Sequence, residues 1–149
     1  MSSTSTRLAN RAPVQLAAAA VGVVFLLVGI LGLIPGFTTN FAELKFYGHE
    51  SDARLLGIFV VSGLHSIVHL GFGVAGLVMS RTAAAARTFL LVGGVIYLVL
   101  WVYGLVIDMD AAINFVPVNA ADNWLHLVLG VVMIALGLLL PRMARPAVR

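Results

Sequence analysis

Hydrophobic positions in this chain gather into four stretches without a charged residue: Ala12–Ala42, Leu55–Ser80, Thr88–Ile107 and Asn123–Pro141. Each holds about 20 residues or more, which at about 1.5 Å per residue matches the ~30 Å hydrocarbon core of a bilayer. None alternates apolar with polar residues as the strands of a membrane barrel do. Helices satisfy their own backbone hydrogen bonds in lipid. The pattern therefore predicts an all-α membrane protein, a four-helix transmembrane bundle in a single domain spanning about 13–141.

Punctuation places the helices. Pro13 is a good first helical residue, and Pro35-Gly36 stops the first helix near Ile34. Ser51 is a candidate N-cap for a second helix reaching Met79. The short link Ser80–Arg87 makes the second and third helices neighbours. Asn119, followed three residues on by Asp122, resembles a capping box that opens the fourth helix. The expected helices are about 13–34, 51–79, 88–107 and 119–140, with a mobile cytoplasmic tail at 1–12 and a cytoplasmic tail at 142–149. Phe41, Leu44, Phe46 and Tyr47 predict an outer loop that lies at the membrane interface.

Charge gives the orientation. Arg7, Arg11, Arg81, Arg87, Arg142, Arg145 and Arg149 occupy the two tails and the middle link, with no acid among them. All six acids, Glu43, Glu50, Asp52, Asp108, Asp110 and Asp122, lie in the other two connections beside Lys45 and Arg54. By the positive-inside rule both termini are cytoplasmic. The composition agrees: 149 residues, 61% hydrophobic and 10% charged, with a mean hydropathy of +1.07. The first span is expected to be retained, because its small residues Ala17–Ala20 open the run where a signal-peptide cleavage site would close it. The pI near 10 comes from arginines dispersed at membrane borders, which suits anionic lipid and excludes a nucleic-acid reading. Arginine outnumbers lysine eight to one in an Ala- and Gly-rich chain, a usage associated with bacteria, so the expected location is a bacterial plasma membrane. The absence of cysteine excludes disulfides, thiolate metal sites and thiol catalysis.

Two halves of the chain echo one another. Gly22-Val-Val-Phe-Leu-Leu and Gly32-Leu33 resemble Gly94-Val-Ile-Tyr-Leu-Val and Gly104-Leu105. Leu64-His65, Gly76-Leu77 and Arg81 align without a gap with Leu125-His126, Gly137-Leu138 and Arg142. This reads either as a parallel duplication of a two-helix hairpin or as the chance likeness of Gly/Leu/Val helices. Small residues also form stripes: Gly22, Gly29, Gly32 and Gly36; Ser62, Ser66, Gly73 and Gly76; Gly93 and Gly104 with Tyr97 and Trp101; Gly130 and Gly137. Such stripes let helices approach closely in lipid or line a ligand groove.

Histidine carries the sharpest chemistry. His65 and His69 stand one turn apart on one helical face, and His126 follows Asp122-Asn-Trp-Leu. Counting back from Arg81 and Arg142 places His65 and His126 at similar depth in the outer half of the membrane. Intramembrane ionisable residues default to a functional hypothesis, and three readings stay open. Neutral imidazoles hydrogen-bonded to Ser62, Ser66, Asp122 or Asn123 would clamp helix 2 to helix 4. His65, His69 and His126 as cofactor-binding residues would hold haem, a divalent metal or a quinone carbonyl, with Met133 packed beneath. A proton or ion relay would suit imidazole, but no charged residue lies deep enough to continue it inward. Asp108, Asp110 and Asp122 with nearby Asn residues read as a solvated face or a weak cation site, and Trp101, Tyr103 and Trp124 as packing and interface anchors. No nucleophile–base pair, P-loop or dinucleotide fingerprint is recognisable.

The run Pro35-Gly-Phe-Thr-Thr-Asn-Phe, the Gly48-His-Glu loop, Leu64-His-Ser-Ile-Val-His69 and Asp122-Asn-Trp-Leu-His126 carry a resemblance. Over about residues 14–141 the chain resembles the actinobacterial membrane proteins catalogued as domain of unknown function 4383. That resemblance implies four transmembrane helices and brings no activity or catalytic residue. A more distant likeness to DoxX-type four-helix proteins implies quinone or thiol redox chemistry, of which the lack of cysteine removes the thiol half. The expected function is an accessory or structural subunit of a membrane complex, or a homo-oligomer. The alternatives are a ligand-binding or redox protein with its site between helices 2 and 4, and a small transporter.

Overall fold

The structure is a computed structural model that describes residues 11–141. The tails expected at 1–12 and 142–149 lie outside the described residues, except for Arg11 and Ala12. Four helices account for most of the chain: α1 (Pro13–Leu31), α2 (Gly63–Met79), α3 (Ala83–Val106) and α4 (Ala120–Leu139). Three of them, α1, α3 and α4, are long and apolar enough to cross a membrane, and α2 is a shorter apolar helix. Between α1 and α2 lies a small antiparallel sheet of two-residue strands, β1 (Thr38–Thr39), β2 (Arg54–Leu55) and β3 (Phe59–Val60), in the order β1-β2-β3.

That sheet corrects the expected second helix. Residues 51–62 are not helical, and α2 begins at Gly63 behind the cap Ser62, whose side chain accepts from the His65 amide. Leu55 pairs with Phe59 across a turn in which Leu56 and Gly57 both have positive φ (54° and 73°), a reversal that a helix cannot contain. Ser51 instead pins the loop, donating to the Val61 carbonyl at 2.6 Å and accepting from the Lys45 amide. The third helix also starts earlier than the expected Thr88, behind the cap Thr82, whose side chain accepts from the Ala85 amide.

The helices pack as two hairpins, α1 along α2 and α3 along α4, which meet mainly through α1 and α3. Glycine sets both close approaches. A Cβ on Gly22 would stand 3.0 Å from the Gly73 oxygen and 3.0 Å from the Leu77 nitrogen. One on Gly94 would stand 2.9 Å from the Gly130 oxygen and 3.1 Å from the Ile134 nitrogen. The halves therefore pack alike, with Gly73 equivalent to Gly130. Gln15 ties the other end of the molecule, donating to the Ser80 and Arg81 carbonyls of the α2–α3 link.

Polarity is inverted relative to a water-soluble bundle. Val23, Val24, Leu27, Val74, Val95, Val99, Val128 and Val131 are exposed along the helices, whereas Ser66, His65, His69, Asp122, Asn123 and His126 are buried. An apolar exterior of this extent fits a membrane protein.

Candidate functional site

The helix starts position the polar residues. Ser62 caps α2 and Asn119 caps α4, each accepting from the backbone N–H of the third residue of its helix. His65 and Asp122 are those third residues, and His69 and His126 are each the seventh. About 10 Å of helix thus carries His69 and His126 from the capped ends into the interior. The equivalence that the fold establishes is His69 with His126, not the expected His65 with His126. The arginine-based alignment differs from this packing by one turn because α4 extends further than α2 at its C-terminal end.

Ring contacts follow the same relation. Phe25 of α1 meets His69 edge-on at 5.7 Å, and Tyr97 of α3 meets His126 at 5.3 Å. Phe25 and Tyr97 stack on each other at 5.4 Å in the middle. His65 stacks on His69 at 4.4 Å. All three histidines are buried, at 5%, 9% and 6% exposure for His65, His69 and His126, so water does not solvate their ring nitrogens freely.

Their hydrogen bonds are few. His69 Nδ1 lies 3.0 Å from the His65 carbonyl, which only accepts, so Nδ1 carries the proton and a neutral ring presents Nε2 as an acceptor. His65 Nδ1 and His126 Nδ1 have no partner among the described residues, nor do Ser66 Oγ and Asn123 Oδ1. The hydrogen-bonded clamp expected between the histidines and Ser62, Ser66, Asp122 or Asn123 is not formed. Asp122 serves another purpose: its Oδ2 accepts from the Val60 and Asn119 amides, both at 3.0 Å. Asn119 Nδ2 also donates to the Ile58 carbonyl. The start of α4 thereby latches the β2–β3 hairpin, a role that spacing alone did not reveal.

Two cavities open on the cluster, and all three histidines line both. The wider, about 330 Å³, lies between α2 and α3, with Val68, Phe72, Tyr97, Leu100 and the 115–118 loop around it. The narrower, about 150 Å³, lies between α1 and α4 beneath the β2–β3 hairpin, and Asp122 joins its wall. Asp122 and the histidines therefore share the narrower, mostly apolar cavity. Met133 is fully buried, its methyl against Gly93. His49, the remaining histidine, belongs to a separate groove lined by residues 45–50 with Ala112 and Phe115.

No three His, Asp or Glu groups among the described residues are placed to hold one metal ion. The three histidines together do not form a metal site, and Asp108 and Asp110 do not converge with Asp122 on a cation. A 330 Å³ cavity is at the small end for a ligand site, which suits a ring or headgroup whose tail remains in the lipid.

A family model matches residues 15–139, and its description is domain of unknown function (DUF4383). The chain belongs to the DUF4383 family. No match was found to a curated protein or to a solved structure. Membership fits a small membrane protein and assigns no chemistry, and the buried histidine cluster is the chemically distinctive feature of this DUF4383 protein.

Proposed function

We propose that this DUF4383 protein is a four-span protein of the bacterial plasma membrane, with both termini cytoplasmic. Its histidine cluster binds a membrane-borne molecule with an apolar tail and a carbonyl- or hydroxyl-bearing ring or headgroup. The observation that carries this reading is the pair of buried, unpartnered nitrogens, His65 Nδ1 and His126 Nδ1, on histidines that line a mostly apolar cavity. An unmet buried donor or acceptor costs about 1–3 kcal/mol, and a ligand carbonyl or hydroxyl between α2 and α3 would relieve that cost. Neutral His65 and His126 each choose which nitrogen carries the proton, while His69 offers an acceptor. The set therefore suits both the oxidised and the reduced form of a quinone-like ring, or the ester region of a lipid. Exposed Val68 and Val99 at the rim allow entry sideways from the bilayer.

The accessory-subunit reading draws on the small-residue stripes together with the lack of a recognisable catalytic motif. Those glycines are taken up inside the chain: Gly22, Gly29, Gly73, Gly76, Gly94, Gly104, Gly130 and Gly137 each face a neighbouring helix of the same molecule. Only Gly71 among the helical glycines has nothing within 4 Å. The stripes thus support internal packing and leave little for a partner.

The test is extraction and mass spectrometry of molecules that copurify in mild detergent, with a visible spectrum and metal analysis. A near-stoichiometric quinone or lipid species, lost in His65→Ala and in His126→Phe, is the expected result. A preparation with no such species overturns the reading, and a Soret band or stoichiometric metal would replace it with haem or metal binding.

A further inference from the structure

The narrower cavity is the counterpart of the wider one. The packing that pairs Gly73 with Gly130 also pairs Phe25 with Tyr97, Val28 with Leu100, Leu125 with Val68, Leu129 with Phe72 and His126 with His69. The first member of each pair lines the α1–α4 cavity and the second lines the α2–α3 cavity. The roof obeys the same relation: residues just before the cap Ser62 cover one cavity, and residues just before the cap Asn119 cover the other. Even the contact between roof and helix recurs. Val60 of one roof donates its amide to Asp122, and His65, the residue equivalent to Asp122, lines the cavity under the other roof with Val116 and Val118.

We propose that the α1–α4 cavity is a second binding site of this protein, for a single ring of a membrane-borne molecule, built on the opposite side of the same histidines. The proposal rests on the histidine cluster being a ligand site. A cavity of about 150 Å³ is the size at which a protein interior takes up one benzene ring. The walls are Val28, Leu55, Phe59, Leu125 and Leu129, and the polar end is His126, 94% buried with Nδ1 unpartnered. A ring with one carbonyl or hydroxyl would place that oxygen against His126, in alternation with the ligand of the wider cavity, and its apolar edge against Phe59 and Leu129. The Asp122 latch on Val60 holds the hairpin down over this side and makes it the narrower one. A tail leaves past Val24, which is exposed to the lipid side.

The probe is a single-ring phenol bearing a photoreactive diazirine, applied to the full-length protein in lipid nanodiscs, with adducts mapped by peptide mass spectrometry. Adducts are expected on two separate sets, α1 with α4 and α2 with α3. Leu129→Phe, which copies the Phe72 of the other cavity, is expected to lower the α1–α4 adducts at least fivefold while leaving the others within twofold. Leu100→Trp is expected to do the reverse. Size-exclusion elution and circular dichroism matching the parent identify variants that have folded. If Leu129→Phe does not fold, competition by unlabelled phenol on the parent protein, saturating at two separable concentrations, carries the test. Adducts confined to α2 and α3 in the parent overturn the second site and leave the proposed function intact. Adducts on neither set overturn both.

Discussion

His69 and His126 occupy the same station in two different helices. Each is seventh from a polar cap, and each lies against an aromatic ring of the helix it packs along, Phe25 for one and Tyr97 for the other. Their surroundings differ where it matters chemically. The turn above His69 carries the imidazole of His65, whereas the turn above His126 carries the carboxyl group of Asp122, engaged by the hairpin. One frame therefore presents two unequal chemical faces.

His126→Phe separates packing from binding. His126 Nδ1 has no partner to lose, and phenylalanine keeps the ring contact with Tyr97. The unfolding free energy should change by less than about 1.5 kcal/mol, as for a shape-conserving core exchange. Bound ligand should be lost. Denaturation monitored in detergent, alongside ligand content, reads both; a stability loss with ligand retained would contradict the assignment.

Asp122→Ala should release the hairpin. Two amides, Val60 and Asn119, lose their acceptor, at about 1–3 kcal/mol for each buried group left unmet. Hydrogen exchange should rise at Val60 and in the following residues while the middle of α2 remains protected. Asp122→Asn keeps one acceptor oxygen and should fall between the two.

Glycine in α2 gives a paired test. A Cβ at Gly73 would lie 2.7 Å from the backbone nitrogen of Leu26, whereas Gly71 has open space. Gly73→Ala should destabilise by about 1–3 kcal/mol, since the α1 backbone has to move. Gly71→Ala should be neutral or slightly stabilising. Unfolding midpoints of the two variants in the same detergent check the contrast.

Reporter fusions test the topology. Fusions after Arg87 and Arg149 should report the cytoplasm, and one at Asn114 should report the outside. The reverse pattern would invert the molecule in the membrane and place the histidine cluster in the inner half.

Much of this arrangement was legible in the sequence, and the exceptions have physical causes. The cap Asn119 with Asp122 is local chemistry and reads directly, whereas α1 ends at Leu31, before the Pro35-Gly36 stop. The hairpin was missed because Leu-Leu-Gly-Ile-Phe-Val-Val is equally apolar as helix or strand, and hydropathy cannot separate them. The signals present were the β-branched and aromatic run Phe59–Val61, the turn glycine Gly57, and Ser62-Gly63 as a helix start. The pairing of the two halves shifted by a turn because flanking arginines mark where a helix is expected to meet water, not how it packs against its neighbour. The roles of Asp122 and Ser51, which hold the hairpin through distant backbone groups, depend on contacts that only the folded chain creates.

The unequal helix lengths have a mechanical consequence. α2, at 17 residues, rises about 26 Å, and α3, at 24 residues, about 36 Å, on either side of a ~30 Å hydrocarbon core. On the proposed four-span arrangement, lipid beside α2 would thin or α3 would tilt, and each costs a fraction of a kcal/mol per ångström of mismatch. The wider cavity lies between these two helices. In that arrangement a thicker bilayer would strain the seam and a thinner one relax it, so acyl-chain length would act on the cavity mouth as a lateral spring.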